Sequence, residues 1–410
     1  MVAFMPTTDF DGQLSRSLTA ATRGSADLGE VFAVAERIVA GDVDSWAREW
    51  VATAQSVRAE ADRAHQAGDL VDARRAYLRA SEYYRQSFFF ARTTLDDPVL
   101  ASGYASHVET FQAAVPLLSY PTSPVELDQD GIRVHGYLLR PDDSGLPRPT
   151  VLAPAGYDST AESGFPSTAV SALERGFNCL VFEGPGQGGV LYTDRQFMRP
   201  DYEVVVSPVV DWLMTQAGVD PAALVLFGRS FAGYLAPRAA SVDHRFAALV
   251  CDPAQYDFGA AIRARMGEDT WRRLQDHDPT LESDLVSMMM RDPVAANGQQ
   301  WRMTAHGVTT LGDYLRELSR YTIAEMAGQI TCPTLALAGE GDFAGTGQLQ
   351  IFAKALAAPV TTHTFTKAEG AGGHCEGLGQ DRLDQFVYGW LRAQLPSDRP
   401  PARGDERMTT

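Results

Sequence analysis

The chain has 410 residues, 45% of them hydrophobic and 21% charged, a balance that fits a globular protein with one large core and a smaller domain. A formal net charge of -17 argues against a nucleic-acid backbone or an anionic membrane as partner. Cys179, Cys251, Cys332 and Cys375 lack metal-ligand spacing, and the first three lie in or beside apolar runs, so they read as core residues of a reduced, cytoplasmic protein. Asp9 and Asp11 stand where a secretion signal would be apolar, and no apolar run reaches the length of a membrane span.

Residues 1–30 mix Thr, Ser, Gly and Asp without periodicity and are expected to be disordered. A helical domain is expected over 31–120. Val31 to Ala40 stops at Gly41. Trp46, Trp50, Ala54, Val57, Ala61 and Ala64 then recur three or four apart up to Gly68, and Asp69 restarts the pattern with Leu70, Ala73, Ala76, Tyr77, Ala80, Tyr84 and Phe88. That spacing predicts two antiparallel helices. Phe88-Phe89-Phe90 covers more than one helix face. A helix wedged between its partner and another domain accounts for it, and so does a substrate-pocket wall to which Phe88 and Phe89 contribute.

Pro116 to Pro124 marks a boundary. Val125 to Asp128 and Ile132 to Leu139 flank Asp130-Gly131, a hairpin signal. Short β runs then alternate with helices: Thr150 to Ala153, Phe177 to Phe182, Leu224 to Phe227, Ala247 to Cys251, Thr334 to Ala338 and Thr361 to Phe365. Helices are expected over Glu162 to Arg175, Glu203 to Ala217, Phe231 to Ser241, Gly347 to Ala357 and Asp381 to Leu395. The alternation predicts an α/β fold, a mostly parallel sheet with an antiparallel N-terminal hairpin, built from 121–252 and 331–395. Residues 253–330 are helical in pattern and too long for one crossover, so they read as an inserted helical lid carrying Met288-Met289-Met290. Met289 is a pocket candidate. The tail, 396–410, is expected to be disordered.

The chemistry centres on Val225-Leu226-Phe227-Gly228-Arg229-Ser230-Phe231-Ala232-Gly233, which runs from strand through a sharp turn into a helix, as a nucleophile elbow requires. A serine nucleophile needs a base, and the base an acid to hold its tautomer. Asp342 leaves a strand end in Gly339-Glu340-Gly341-Asp342 and is the preferred acid over Glu340. His374 follows Gly370-Ala371-Gly372-Gly373 with no packing face to belong to, and it completes the order Ser, Asp, His. The oxyanion hole needs two backbone N–H groups: one from Phe231, the other from Tyr157 or, as alternative, Gly156. Glu183-Gly184-Pro185-Gly186-Gln187-Gly188-Gly189 lacks the marks of a phosphate or dinucleotide loop and reads as a structural turn. No cofactor and no metal are indicated.

Several strings carry a family resemblance. They are Ala73-Arg74-Arg75-Ala76-Tyr77-Leu78-Arg79-Ala80-Ser81, Tyr83-Tyr84-Arg85, Asp158-Ser159-Thr160, Gly184-Pro185-Gly186-Gln187-Gly188, Arg199-Pro200-Asp201, Gly228-Arg229-Ser230 and Gly370-Ala371-Gly372-Gly373-His374-Cys375. From about Trp46 to Leu395 the chain resembles α/β-hydrolases of the branch with an N-terminal helical cap. That branch holds FrsA-like esterases, dihydroxypseudooxynicotine hydrolase and fungal hydrolases that shorten polyketide pigment precursors. The resemblance implies a cofactor-free hydrolase of a small carbonyl substrate, cleaving a C–C bond beside a ketone in an aromatic or polyketide-like molecule. A carboxylesterase, an acyltransferase or cyclase, and a non-catalytic receptor on the same fold remain alternatives. Some relatives add a carboxylate after the strand that follows the elbow. Asp252 and Asp257 are the local candidates for that auxiliary acid, or equally caps of the lid. A homodimer is left open.

Overall fold

The computed structural model describes residues 4–5 and 8–395; the expected disordered tail lies outside the described residues. The chain forms two compact units. One takes the residues up to Leu118 together with Gly259–Arg320, and the other takes Ser119–Phe258 together with the chain from Tyr321 on.

The second unit is built on an eight-stranded sheet. Its strands are β1 Thr122–Gln129, β2 Ile132–Leu139, β3 Arg148–Pro154, β4 Asn178–Glu183, β5 Val219–Arg229, β6 Ala248–Asp252, β7 Thr334–Gly339 and β8 Val360–Phe365, in the order β1-β2-β4-β3-β5-β6-β7-β8. β1 and β2 run antiparallel to each other, β2 runs antiparallel to β4, and the remaining pairs are parallel. This is the α/β-hydrolase arrangement. β3, β4 and β6 are buried along their whole length, which explains runs such as Asn178-Cys179-Leu180-Val181-Phe182 that are apolar instead of alternating. β1 starts at Thr122, earlier than expected, and contains Pro124. It is an edge strand, so the missing N–H costs no ladder bond there.

Because β3 to β8 are parallel, the loops that follow them leave from one edge of the sheet, where such folds place their sites. The long helical insertion leaves the unit through a narrow neck. Asp257 and Thr322 form an antiparallel bridge, Phe258 N–H donates to Tyr321 C=O at 3.0 Å and Ile323 N–H to Tyr256 C=O at 3.0 Å.

The first unit is helical. Val43–Ala67 is capped by Asp42, whose side chain accepts from the N–H groups of Asp44 and Ser45, and it closes at Gly68 with φ +82. Leu70–Ser87 packs back along it. That helix ends before the three phenylalanines, because the chain tightens into a 3-10 turn at Phe89–Ala91. The change of pitch sends the rings in different directions. Phe88 lies against Tyr104 and His107, Phe90 against Phe10 and Trp46, and Phe89 beneath the Arg92 guanidinium, 3.9 Å from the ring centroid. Arg92 also stacks on Trp301 at 4.0 Å, and Asn297 Nδ2 donates to Phe90 C=O at 2.8 Å. The insertion helices Pro293–Ala305 and Leu311–Leu318 belong to the same unit. Met289 is half-buried at the end of Pro279–Met289, between exposed Met288 and Met290.

Two stretches differ from the expectation. Residues 8–21 form a helix instead of a disordered segment, because Phe10, Leu14 and Leu18 repeat every four residues and all three are buried. Asp27 then caps Leu28–Ala35, accepting from Gly29 N–H at 2.8 Å. Pro98–Ala114 is a further helix that the apolar pattern does not announce. Its signals are Asp97, which accepts from Val99 N–H at 2.8 Å, and a proline in the first turn. We expect Phe10→Ala, which empties a site 0% exposed beside Trp46 and Phe90, to cost about 3–5 kcal/mol of stability. Urea unfolding followed by tryptophan fluorescence measures it. An unchanged midpoint would mean that residues 8–21 add nothing to the core.

Candidate active site

β5 delivers Arg229 to the sheet edge, the chain turns at Ser230, and helix Ala232–Ala240 starts at once. Ser230 has φ +58, a left-handed conformation that costs a non-glycine residue about 1–3 kcal/mol. Tight packing enforces it. A Cβ on Gly228 would lie 2.0 Å from Ala232 O, and one on Gly233 would lie 2.0 Å from Pro253 O. The second glycine of this elbow is therefore needed three residues after the serine, where the loop after β6 crosses, and Ala232 fits at the position between.

Ser230 Oγ is 2.8 Å from His374 Nε2, and His374 Nδ1 lies 3.0 and 3.1 Å from the two Asp342 oxygens. Asp342 is buried and also accepts Ala344 N–H at 2.8 Å. Glu340, its rival, is exposed and accepts Lys367 N–H instead. The His374 loop lies against the turn after β7, with Gly373 N–H donating to Glu340 C=O at 3.0 Å. Burial works against charging His374, but the Cys375 sulfur and the Asp342 carboxylate outweigh it and raise its pKa well above 6.5. The three groups form a hydroxyl–imidazole–carboxylate relay able to take a proton from Ser230 and return it to a leaving group.

The other predicted residues fall at varied distances from this relay. Phe231 supplies the first backbone N–H after Ser230, at the start of helix Ala232–Ala240. Gly156 abuts the elbow, since a Cβ there would lie 3.0 Å from Ser230 Cβ. Tyr157 follows it and packs on Phe231, with centroids 4.3 Å apart. The Gly-rich segment after β4 supports this turn. Gln187 Nε2 donates to Ala155 C=O, while its Oε1 accepts from Gly184 N–H and the Tyr202 hydroxyl, each at 2.8 Å. Asp257 lies at the insertion neck, where its Oδ2 accepts from the Thr322 hydroxyl at 2.9 Å. Asp252 is wholly buried, with Oδ2 3.4 Å from Arg229 Nε. Phe88, Phe89 and Met289 belong to the helical unit.

Three residues that the sequence reading passes over sit beside the relay. Arg229 reaches Ser167 C=O at 2.7 Å, Gln380 Oε1 at 2.8 Å and Cys375 C=O at 3.3 Å. Glu376 is 0% exposed and meets the Asp252 carboxyl. Phe343, 68% exposed, stacks on the His374 ring at 5.3 Å and 29°. The available signal was adjacency: each lies within two residues of a relay member. Among the described residues no group of three or more His, Cys, Asp or Glu is placed to hold a metal, and no helix is long and apolar enough to cross a membrane.

A family model described as X-Pro dipeptidyl-peptidase (S15 family) matches residues 130–375. The chain is 33% identical over 357 residues to "Hydrolyase poxO" of Penicillium oxalicum (strain 114-2 / CGMCC 5302), covering 82% of this chain and 83% of that protein. It is 32% identical over 348 residues to "20-hydroxy-prefusarin hydrolase FUS2" of Gibberella moniliformis (strain M3125 / FGSC 7600), covering 82% of each. Among solved structures, 2,6-dihydroxy-pseudo-oxynicotine hydrolase superposes with a TM-score of 0.74 at 24% identity, covering 94% of this chain and 97% of that one. That likeness is one of fold.

The raised His374 pKa sets a direction for the pH profile. A base must be neutral, so kcat/KM should fall on acidification with a midpoint above 6.5. Asp342→Asn removes one of the groups that raise it, so the midpoint should move down while turnover drops by about 10⁴-fold. A midpoint that stays put in this variant would disconnect Asp342 from the base.

Proposed function

The chain belongs to the family described as X-Pro dipeptidyl-peptidase (S15 family) and is an α/β hydrolase, and from that premise we propose that it is a serine hydrolase of carbonyl compounds, cleaving a C–C bond beside a ketone in an aromatic or polyketide-like substrate. The observation that carries the reading is the continuous relay at the elbow, Ser230 to His374 at 2.8 Å and His374 to Asp342 at 3.0 Å. Ser230 Oγ attacks the ketone carbon as His374 Nε2 takes its proton. The oxyanion is held by the N–H of Phe231 and that of Tyr157 or Gly156. The tetrahedral intermediate collapses by breaking the C–C bond. The electron pair leaves on carbon, where the His374 proton quenches it, and the acyl group stays on Ser230. Water, deprotonated by His374, then releases the acid and restores the serine.

Such a carbanion leaves only if delocalised, as an enolate or an electron-rich ring, which selects β-diketones and acyl-phenols. Aromatic groups beside the nucleophile suit them. Phe231 packs between Tyr157 and Phe258, at 4.3 and 5.4 Å, and Phe343 covers one face of His374. A dipeptidyl-peptidase substrate brings an α-ammonium that needs carboxylate partners. Three carboxyl groups beside the relay, Asp342, Asp252 and Glu376, are already engaged by His374, by Arg229 and by each other. The name of the fungal relative, a 20-hydroxy-prefusarin hydrolase, also favours a secondary-metabolite substrate.

Ser230→Ala and His374→Ala should each lower turnover by on the order of 10⁴-fold or more with the fold intact. Retention of activity within about tenfold in either would remove the relay from the chemistry. An aromatic β-diketone or acyl-phenol should exceed short p-nitrophenyl esters by at least about a hundredfold in kcat/KM. Esters turned over as well, with no carbon–carbon product by mass spectrometry, would move the reading to a carboxylesterase.

A further inference from the structure

Behind His374 lies a buried charge cluster that the relay does not use. Asp252 ends β6 and Glu376 follows the base by two residues, and both are 0% exposed. Their carboxyl groups are within hydrogen-bond reach of each other. One cation serves both. Arg229 turns Nε toward Asp252 Oδ2 at 3.4 Å, but its Nη groups are spent on Ser167 C=O, Cys375 C=O and Gln380 Oε1. Among the described residues neither oxygen of Glu376 has a donor, and neither does Asp252 Oδ1.

Two ionised carboxylates in that position would repel each other in a site that supplies one partial partner, a cost of several kcal/mol per uncompensated ion. A single hydrogen between them satisfies an oxygen of each. The ionisable groups facing the pair agree. Asp342 after β7 acts against the charge on Asp252 and Cys375 against that on Glu376, while Arg229 favours both charges and His374 that of Asp252. Burial first, then the Asp252 charge, push Glu376 far above the usual carboxylate range, while Arg229 resists the rise at Asp252.

We propose that Asp252 and Glu376 hold one proton between them, with Glu376 the neutral partner, and that Glu376 is thereby a positioning residue for His374. The inference rests on the reading of His374 as the base. The loop that carries the base is strained. Cys375 and Glu376 both have positive φ, +47 and +59, a left-handed conformation that is unfavourable for a non-glycine residue. Gln380 Nε2 ties the loop at Cys375 C=O, 2.7 Å, and Gly377 C=O, 2.9 Å. The shared proton adds a tie between the loop and the carboxyl at the end of β6, beside the Cys375 Sγ contact to Asp252 C=O at 3.5 Å and the Arg229 bond to Cys375 C=O at 3.3 Å. An ionised Glu376 would be driven off Asp252 and carry His374 away from Ser230.

Infrared difference spectroscopy of the whole protein tests this without a substrate. At about pH 8, well above the ordinary carboxylate range, wild type should show the carbonyl stretch of a protonated carboxylic acid. Glu376→Gln should lose that band yet keep kcat/KM within about fivefold, because its amide N–H replaces the acid O–H toward Asp252. Glu376→Ala should lose the band and about thirtyfold or more in kcat, with KM within about threefold, as expected for a displaced base. Absence of the band in wild type, its survival in Glu376→Gln, or equal damage in the Gln and Ala variants would overturn the proposal. Ser230→Ala separates the two readings. It should be inactive with the band intact; an active Ser230→Ala overturns the relay alone, and a missing band with an inactive Ser230→Ala overturns the shared proton alone.

Discussion

The site depends on one largely buried cation. Arg229 directly precedes Ser230, and its guanidinium ties together the segment around Ser167, the end of β6 at Asp252, the His374 loop at Cys375 and the last helix at Gln380. These segments are far apart in the chain. Burial disfavours the charge, but Cys375 first and then Asp252 more than offset that and raise its pKa. Removing one member of such a buried assembly costs about 3–5 kcal/mol, because the rest are left uncompensated. Lysine could not substitute, since a point charge cannot serve four acceptors in a plane.

The strain at Ser230 belongs to the same construction. A left-handed serine persists only where neighbours leave no alternative. Here Ala232 O closes on Gly228, Pro253 O closes on Gly233, and Asp252 C=O accepts Ser230 N–H at 2.7 Å. β6 therefore acts on two members of the relay: its last carbonyl fixes Ser230, and its last carboxyl meets the loop of His374.

Much of this was legible in the sequence. All eight strands were readable: the buried parallel strands as short apolar runs punctuated by Gly, Pro and Asp, and β1 and β2 from the Asp130-Gly131 turn between them. Ser230, Asp342 and His374 stood out for a different reason: each is a polar residue in a small-residue loop just past a strand or ahead of a helix. What escaped depends on tertiary contact. Phe10, Leu14 and Leu18 form a stripe, but Gly12, Ser15 and Ser17 dilute it, and burial against Trp46 and Phe90 decides the matter. The three phenylalanines defied any single helix face because the helix ends before them. Glu376 looked like an ordinary loop acid, and its proton is set by Asp252, a residue more than a hundred positions away.

The family description names a peptidase, whereas the proposed substrate is a ketone, and the chemistry around Ser230 bears on the difference. A family model reports the sheet, the elbow and the order of the relay, all of which serve any acyl transfer. Specificity comes from what surrounds the reacting atom. A peptidase of amino-terminal dipeptides must leave carboxylates unengaged to receive an ammonium group, and burying those carboxylates against an arginine forfeits that ability. Here the relay's acids are engaged, and the faces beside the nucleophile and the base carry aromatic rings. Aromatic rings there are consistent with the proposed flat, neutral, conjugated ketone. The same choice suits the leaving group, since a ring or enolate that stacks on an aromatic face is also one that can carry a carbanion's charge.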